Sequence, residues 1–63
     1  MKIAEIEKGD TLVSVDKHGA GYYRVVQVNR VTVDVIHENG AKVRAYPANF
    51  DRKVNYAVEI PRH

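Results

Sequence analysis

The sequence contains no cysteine and no tryptophan, and its apolar residues never run for more than two or three positions. Without cysteine, neither a disulfide nor a thiolate zinc site can stabilise the fold. Runs this short exclude a membrane-spanning helix, which needs about 20 consecutive apolar residues. The stretch from Met1 to Lys8 is too short and too charged for the apolar part of a signal peptide. Since a chain without cysteine also suits a reducing compartment, the sequence predicts a cytoplasmic protein.

The length of the chain, 63 residues, allows one domain over residues 1–63. A chain of this size buries only about 60% of its unfolded surface, so a single core supplies about 3–5 kcal/mol. Stability must therefore come from efficient closure of a small sheet or from self-association. Ten Lys and Arg against eight Asp and Glu leave a net charge of +2. A charge this small does not identify a polyanion partner, and the positions of the cations matter more than their sum.

The stretch from Tyr22 to Tyr46 carries the clearest secondary-structure pattern. Three runs of β-branched and aromatic residues are separated by Asn29-Arg30 and by Glu38-Asn39-Gly40. This pattern predicts three sequential antiparallel strands, Tyr22–Val28, Val31–His37 and Ala41–Tyr46. The Asn29-Arg30 connection fits a two-residue turn or a longer loop.

The turn after the third strand can be predicted from register, because cross-strand partners share a face of the sheet. A two-residue turn would pair Val35 with Arg44 and place charge in the core. A three-residue loop with a left-handed Gly40 pairs Val35 with Val43 and sets Asp34 opposite Arg44 on the outer face. The sequence therefore predicts the three-residue loop.

The remaining elements are assigned from alternation and from proline. The first strand, Thr11–Lys17, turns Val13 and Val15 inward, and the second turns Val26 and Val28 inward. Pro47 ends the fourth strand and opens a 3₁₀-like turn that tucks Phe50 under the sheet. The last strand is predicted over 54–60. Four of its residues are expected to share one face: Val54, Tyr56, Val58 and Ile60. Val31, Val33 and Val35 are also expected inward, and Ile3 or Ile6 is expected to cover one end.

Three segments resemble small SH3-like barrels. Ala45-Tyr-Pro-Ala-Asn-Phe50 resembles the turn before the last strand of SH3 domains, and Gly9-Asp-Thr-Leu-Val-Ser-Val15 resembles the opening strand of KOW and other bacterial SH3-like modules. Tyr23–Val35 is similar to the central hairpin of small uncharacterised phage and plasmid proteins. The resemblance implies an all-β, five-stranded antiparallel SH3-like barrel with one 3₁₀ turn before the last strand. Since the paired tryptophans of peptide-binding SH3 domains are missing, it does not imply binding of proline-rich peptides.

Cationic and aromatic side chains on the predicted outer face suggest the first functional hypothesis. Lys and Arg attract phosphates, and tyrosine rings stack on bases. The alternative is an ordinary solvated face on which Arg44 pairs with Asp34. The hypothesis is a small nucleic-acid-associated accessory module that binds DNA or RNA. The candidate residues are Arg24, Arg30, Lys42, Arg44, Tyr46 and Lys53.

A second apolar stripe lies opposite the predicted valine core and suggests a protein-interaction or self-assembling module. It could be covered by residues Met1 to Lys8, buried by curling of the sheet, or covered by a second copy of the chain. The candidate interface residues are Leu12, Tyr23, Val25 and Ile36.

Groups able to act in catalysis or metal binding are few and dispersed. Ser14 is the only serine, and the aspartates lack the spacing of a carboxylate pair. His18, His37 and His63 have no third ligand near them in sequence. We therefore expect no catalytic residue, no metal and no cofactor, and hence a binding module rather than an enzyme. An oligomeric enzyme with a shared central site is the remaining alternative.

Overall fold

The fold is five antiparallel strands in one sheet, seen in a computed structural model that describes residues 1–15, 19–56 and 58–60. The strands follow the order β4-β3-β2-β1-β5. The all-β prediction, with five strands and a 3₁₀ turn before the last, is confirmed. The elements are a 3₁₀ turn at Ile3–Glu5, β1 at Thr11–Ser14, β2 at Gly21–Val28, β3 at Val33–His37, β4 at Lys42–Ala45, a 3₁₀ turn at Pro47–Asn49 and β5 at Arg52–Val54.

The β3–β4 hairpin has the predicted register. Val35 pairs with Val43, and Asp34 pairs with Arg44. Gly40 has φ +94°, and its N–H donates to the His37 carbonyl at 2.8 Å. A positive φ at this position lets the three-residue loop close without strain, since glycine has no Cβ.

The alternation predicted for β2 is wrong for the residues before a bulge and right for Gln27 and Val28 after it. The register with β3 shifts between Val25 and Gln27. An extra residue on one strand moves the following side chains to the other face. Tyr23 and Val25, predicted to face outward, are buried before the bulge, and Val28 beyond it packs against the core, as predicted.

The structure also corrects the inward orientation predicted for residues of the first strand and for Val31. β1 lies between β2 and β5, and all four of its residues are buried, so both faces of this strand are covered. Leu12 is fully buried, whereas Val15 lies beyond the strand and is 69% exposed.

Val31, predicted inward, lies in a connection that closes where the Asn29 N–H donates to the Thr32 carbonyl. It is 60% exposed. The prediction for Asp16 and Lys17 lies outside the described residues.

The prediction of the last strand over 54–60 is wrong, because β5 covers Arg52–Val54 and shares only Val54 with that range. Val54 pairs with Thr11, the first residue of β1. Residues beyond Val54 would have no partner in β1, and those that the structure describes are not in a strand. The predicted shared face fails, since Ile60 is buried and Tyr56 is 52% exposed.

One core lies on the inner face of the sheet and is closed at its ends by the two 3₁₀ turns. Ile6 is buried just after the first turn, as expected, and Phe50 is buried just after the second. The Phe50 ring meets the Tyr23 ring edge-on with centroids 5.2 Å apart. The buried cluster consists of Ile6, Leu12, Tyr23, Val25, Val33, Val35 and Phe50. Among the described residues, no helix has the length and apolar character needed to cross a bilayer.

Candidate nucleic-acid interface

The outer side of β4 presents cations and an aromatic ring at every second position. Lys42 and Arg44 alternate with inward residues along the strand, and Tyr46 follows two positions later. All three are exposed. We call these three residues the β4 strip. At about 3.3 Å per residue, the two cations stand about 7 Å apart along the strand.

An open depression of about 510 Å³ lies beside the β4 strip. Lys42 and Arg44 line it on one side, and Gln27 and Val26 line it from β2. The bulge in β2 places these two residues there, since neighbouring residues of a regular strand would point to opposite faces. Asp34, Val35 and Val43 complete the lining, so the depression combines two cations, a carboxylate, an amide and an apolar surface.

Asp34 lines the depression and pairs with Arg44. Arg44 Nε donates to Asp34 Oδ1 at 2.8 Å, and Asn29 Nδ2 donates to the same oxygen at 3.0 Å. The hydrogen bond from Arg44 is the main cause that lowers the pKa of Asp34, and the charge of Lys42 acts in the same direction. The same pair raises the pKa of Arg44. Two cations thus share one carboxylate, and the strip keeps a positive surplus.

Arg30 adds a cation near the Tyr46 end of the strip. It follows Asn29 in the 29–32 connection, and Asn29 contacts Asp34 directly. Because β3 and β4 are antiparallel, this connection and Tyr46 lie at the same end of the hairpin. Within residues 1–15, 19–56 and 58–60, neither Arg30 nor Lys42 forms an ion pair.

Arg24, also predicted to bind nucleic acid, is half-buried on the outer face. Its Nη2 donates to the Val58 carbonyl at 2.9 Å, and its buried Nε has no hydrogen-bond partner in the described part of the chain. The segment after β5 covers this face, since Tyr56 also contacts Tyr22 with ring centroids 6.3 Å apart. Arg24 therefore holds this segment against β2 and is not presented to a ligand.

Lys53 is engaged at the opposite edge of the sheet. Its Nζ donates to the Glu5 carbonyl at 2.6 Å and lies 3.6 Å from Asp10 Oδ2. These contacts tie β5 to the N-terminal 3₁₀ turn. Of the six predicted cationic and aromatic residues, the structure thus places Lys42, Arg44 and Tyr46 in one row with Arg30 at the Tyr46 end of the hairpin, and separates Arg24 and Lys53 from them.

The residues of the predicted apolar stripe are buried within the chain and do not form an exposed surface. Its four residues, Leu12, Tyr23, Val25 and Ile36, are between 0% and 8% exposed. The first three belong to the core on the inner face, while Ile36 pairs with Arg24 on the outer face. Cover within the chain is therefore the correct alternative, and these residues are not available as an interface.

Gln27, Val26 and Asn29 are the residues of this site that the sequence did not indicate. A polar residue between two valines resembles any outward strand position, and nothing in the local pattern marks a bulge. The sequence predicts Asn29 as a turn residue, but its contact with Asp34 depends on the hairpin that follows. Only the paired strands reveal these roles.

The structure also shows a second basic and aromatic depression, of about 560 Å³, along β5. Arg52, Lys53 and Tyr56 line it. The hydroxyl groups of Tyr22 and Tyr56 lie 3.1 Å apart, and this hydrogen bond raises the pKa of Tyr22. Tyr56 thereby holds the segment after β5 in place.

No group of three potential metal ligands occurs among the residues that the structure describes. No family model, no curated protein and no solved structure matches this chain.

Proposed function

We propose that this chain is a non-catalytic module that binds single-stranded nucleic acid along the β4 strip. The observation that carries the proposal is the row of exposed Lys42, Arg44 and Tyr46 beside an open depression. Cations that follow a line attract a phosphate backbone, and an exposed tyrosine ring stacks on any base. The strip therefore suits recognition by charge and stacking rather than by sequence.

The ion pair between Arg44 and Asp34 is compatible with this role. The Arg44 side chain is 70% exposed, and exposed ion pairs exchange their partners for other anions at little loss of stability. Asn29 holds the Asp34 carboxylate toward Arg44, so that the guanidinium is oriented before a phosphate arrives. Lys42 and Arg30 supply the charge that Asp34 does not neutralise.

We further propose that the sheet curls into a small SH3-like barrel. The order β4-β3-β2-β1-β5, with a 3₁₀ turn between β4 and β5, supports this fold. Residues on both faces of the sheet are buried, as curling requires. The radius of gyration is 10.2 Å, with extents of 25, 24 and 21 Å, close to the value of about 10.6 Å expected for a compact chain of this length.

Fluorescence anisotropy with a labelled single strand of about 12 nucleotides tests the binding proposal. If Arg30, Lys42 and Arg44 each contact a phosphate, the slope of log affinity against log salt is about −2. The Lys42→Ala/Arg44→Ala variant should bind more weakly, with a slope reduced to about −0.7.

The matched control is Lys2→Ala/Lys8→Ala, which removes the same charge from exposed positions outside the strip. It should bind nearly as the natural chain does. Equal weakening by both double variants, or no binding at low salt, would overturn the proposal.

A further inference from the structure

The outer edge of β4 carries backbone groups that no strand in the described part of the chain pairs with. Within the described residues 1–15, 19–56 and 58–60, β4 lies at the end of the sheet and pairs only with β3. The His37 N–H donates to the Ala41 carbonyl, so positions 41, 43 and 45 are the ones that hydrogen-bond to β3, given that antiparallel pairs alternate. The N–H and C=O groups of Lys42 and Arg44 therefore point away from the sheet.

The two faces beside this edge differ in chemistry. On the outer face lie the side chains of Lys42 and Arg44. On the inner face two adjoining hollows of about 370 and 380 Å³ share Tyr23 and Val43 among their lining residues. Val43 is 42% exposed there although it lies on the core side, because none of the five described strands lies beyond β4.

Pairing of this edge with a second copy of the chain is unfavourable. Two β4 strands placed side by side would bring Lys42 and Arg44 of one copy next to the same cations of the other. Like charges in adjacent positions of neighbouring strands are destabilising. A partner strand with carboxylates at these positions would instead be attracted.

We propose that the β4 edge accepts an extended peptide segment in which acidic and apolar residues alternate. The peptide adds a sixth strand through the backbone groups of Lys42 and Arg44. Its acidic side chains lie beside these two cations, and its apolar side chains enter the hollows beside Val43. Successive side chains of a strand point to opposite faces, so an alternating sequence satisfies both faces at once.

This site goes beyond the proposed nucleic-acid function, although both use Lys42 and Arg44. Nucleic acid needs the charged side chains, whereas the peptide also needs the outward backbone groups. Lys42 allows the two to be separated, because its N–H is not used in the β3–β4 ladder. Lys42→Pro removes the charge and the N–H together, and Lys42→Ala removes the charge alone.

The test measures binding of a peptide of about eight residues that alternates Glu and Val. A peptide of the same composition with its glutamates in one block has the same net charge without the alternation. An alternating Lys/Val peptide has the alternation with the opposite charge. We expect the alternating Glu/Val peptide to bind best. Lys42→Pro should bind it about three- to tenfold more weakly than Lys42→Ala, the effect of one lost hydrogen bond.

Single-stranded DNA provides the comparison that keeps the two proposals separate. Lys42→Pro and Lys42→Ala should weaken DNA binding equally, since both lose the ammonium group.

A peptide methylated at alternate backbone nitrogens gives a second measurement that leaves the protein unchanged, in case Lys42→Pro does not fold. Methylation of the nitrogens that donate to the edge should weaken binding, while methylation of the intervening ones should not. Equal binding of the block and alternating peptides, or no effect of either methylation, would overturn the proposal.

Discussion

The Asp34 carboxylate accepts hydrogen bonds from side chains of two different elements. Arg44 reaches it from β4, and Asn29 reaches it from the connection before β3. Each donor favours the charged carboxylate, which is why the pKa of Asp34 is lowered although partial burial of the group acts in the opposite direction. A single side chain thus links the orientation of Arg44 to the shape of the loop beside Arg30.

The lowered pKa of Asp34 predicts a pH dependence of stability. The unfolded aspartate titrates near pH 3.9, and the folded one titrates below that value. Between the two pKa values the unfolded state binds more protons, so the stabilisation is complete above about pH 4 and is lost as the pH falls through the folded pKa. We expect the urea midpoint to fall over this range.

Asp34→Asn isolates this contribution from the other carboxyl groups of the chain. The difference between the urea midpoints of the natural chain and the variant should shrink as the pH is lowered from about 5 to about 2. Because Arg44 is exposed to solvent, added salt should also reduce the difference. A difference that is constant with pH would contradict the assigned role of Asp34.

Leu12 and Val15 differ in burial, so truncating each side chain should change the free energy of unfolding by different amounts. Leu12→Ala removes a fully buried side chain and should lower the free energy of unfolding by about 2–5 kcal/mol. That loss is comparable to the total stability of about 3–5 kcal/mol expected of so small a core. Val15→Ala, at an exposed position, should change it by less than about 0.5 kcal/mol. Urea unfolding of both variants measures the difference, and the reverse order would show that β1 has the opposite phase.

Among the elements, the β3–β4 hairpin is the one whose geometry depends most directly on a single residue. Gly40 has φ +94°, and an L-residue with a side chain in a left-handed conformation loses about 1–2 kcal/mol. Gly40→Ala should therefore lower the free energy of unfolding by about that amount. Gly40→Asn should lower it less, because asparagine enters positive φ more readily. Chemical unfolding checks both, and an unchanged Gly40→Ala variant would argue against the three-residue loop.

The same hairpin was predictable from sequence, whereas β2 was not. In the hairpin only one loop length keeps Val35 and Val43 together and charges outside, and that constraint is local. In β2 three valines at positions 25, 26 and 28 fit either phase equally well. The choice depends on a bulge, whose position is set by pairing with β3 rather than by the valines themselves.

At the scale of the whole molecule, the structure predicts a monomer at micromolar concentration. The apolar stripe that could have joined two copies is buried in the chain, and the β4 edge carries two cations that oppose pairing with itself. Sedimentation should therefore show one species of 7.1 kDa. A species of twice that mass would place an interface on a surface other than the stripe.

The candidate site was only partly predictable, because contacts between residues far apart in the sequence decide which cations are accessible. Lys42, Arg44 and Tyr46 follow from alternation along one strand, so the sequence was sufficient to group them. Arg24 has the same residue type and an outward position, yet it is covered by Val58, 34 positions away. Lys53 is engaged by Glu5 across 48 positions. No local pattern carries such information.

The amino-acid sequence by itself determined the all-β class, the register of the β3–β4 hairpin and the turn at Pro47. Each of these follows from side-chain alternation or from backbone restrictions within a few residues. The tertiary structure decided which faces of β1 and β2 are buried, and which cations remain accessible. Those outcomes depend on how distant segments cover one another, because burial is a property of the assembled sheet and not of any one strand.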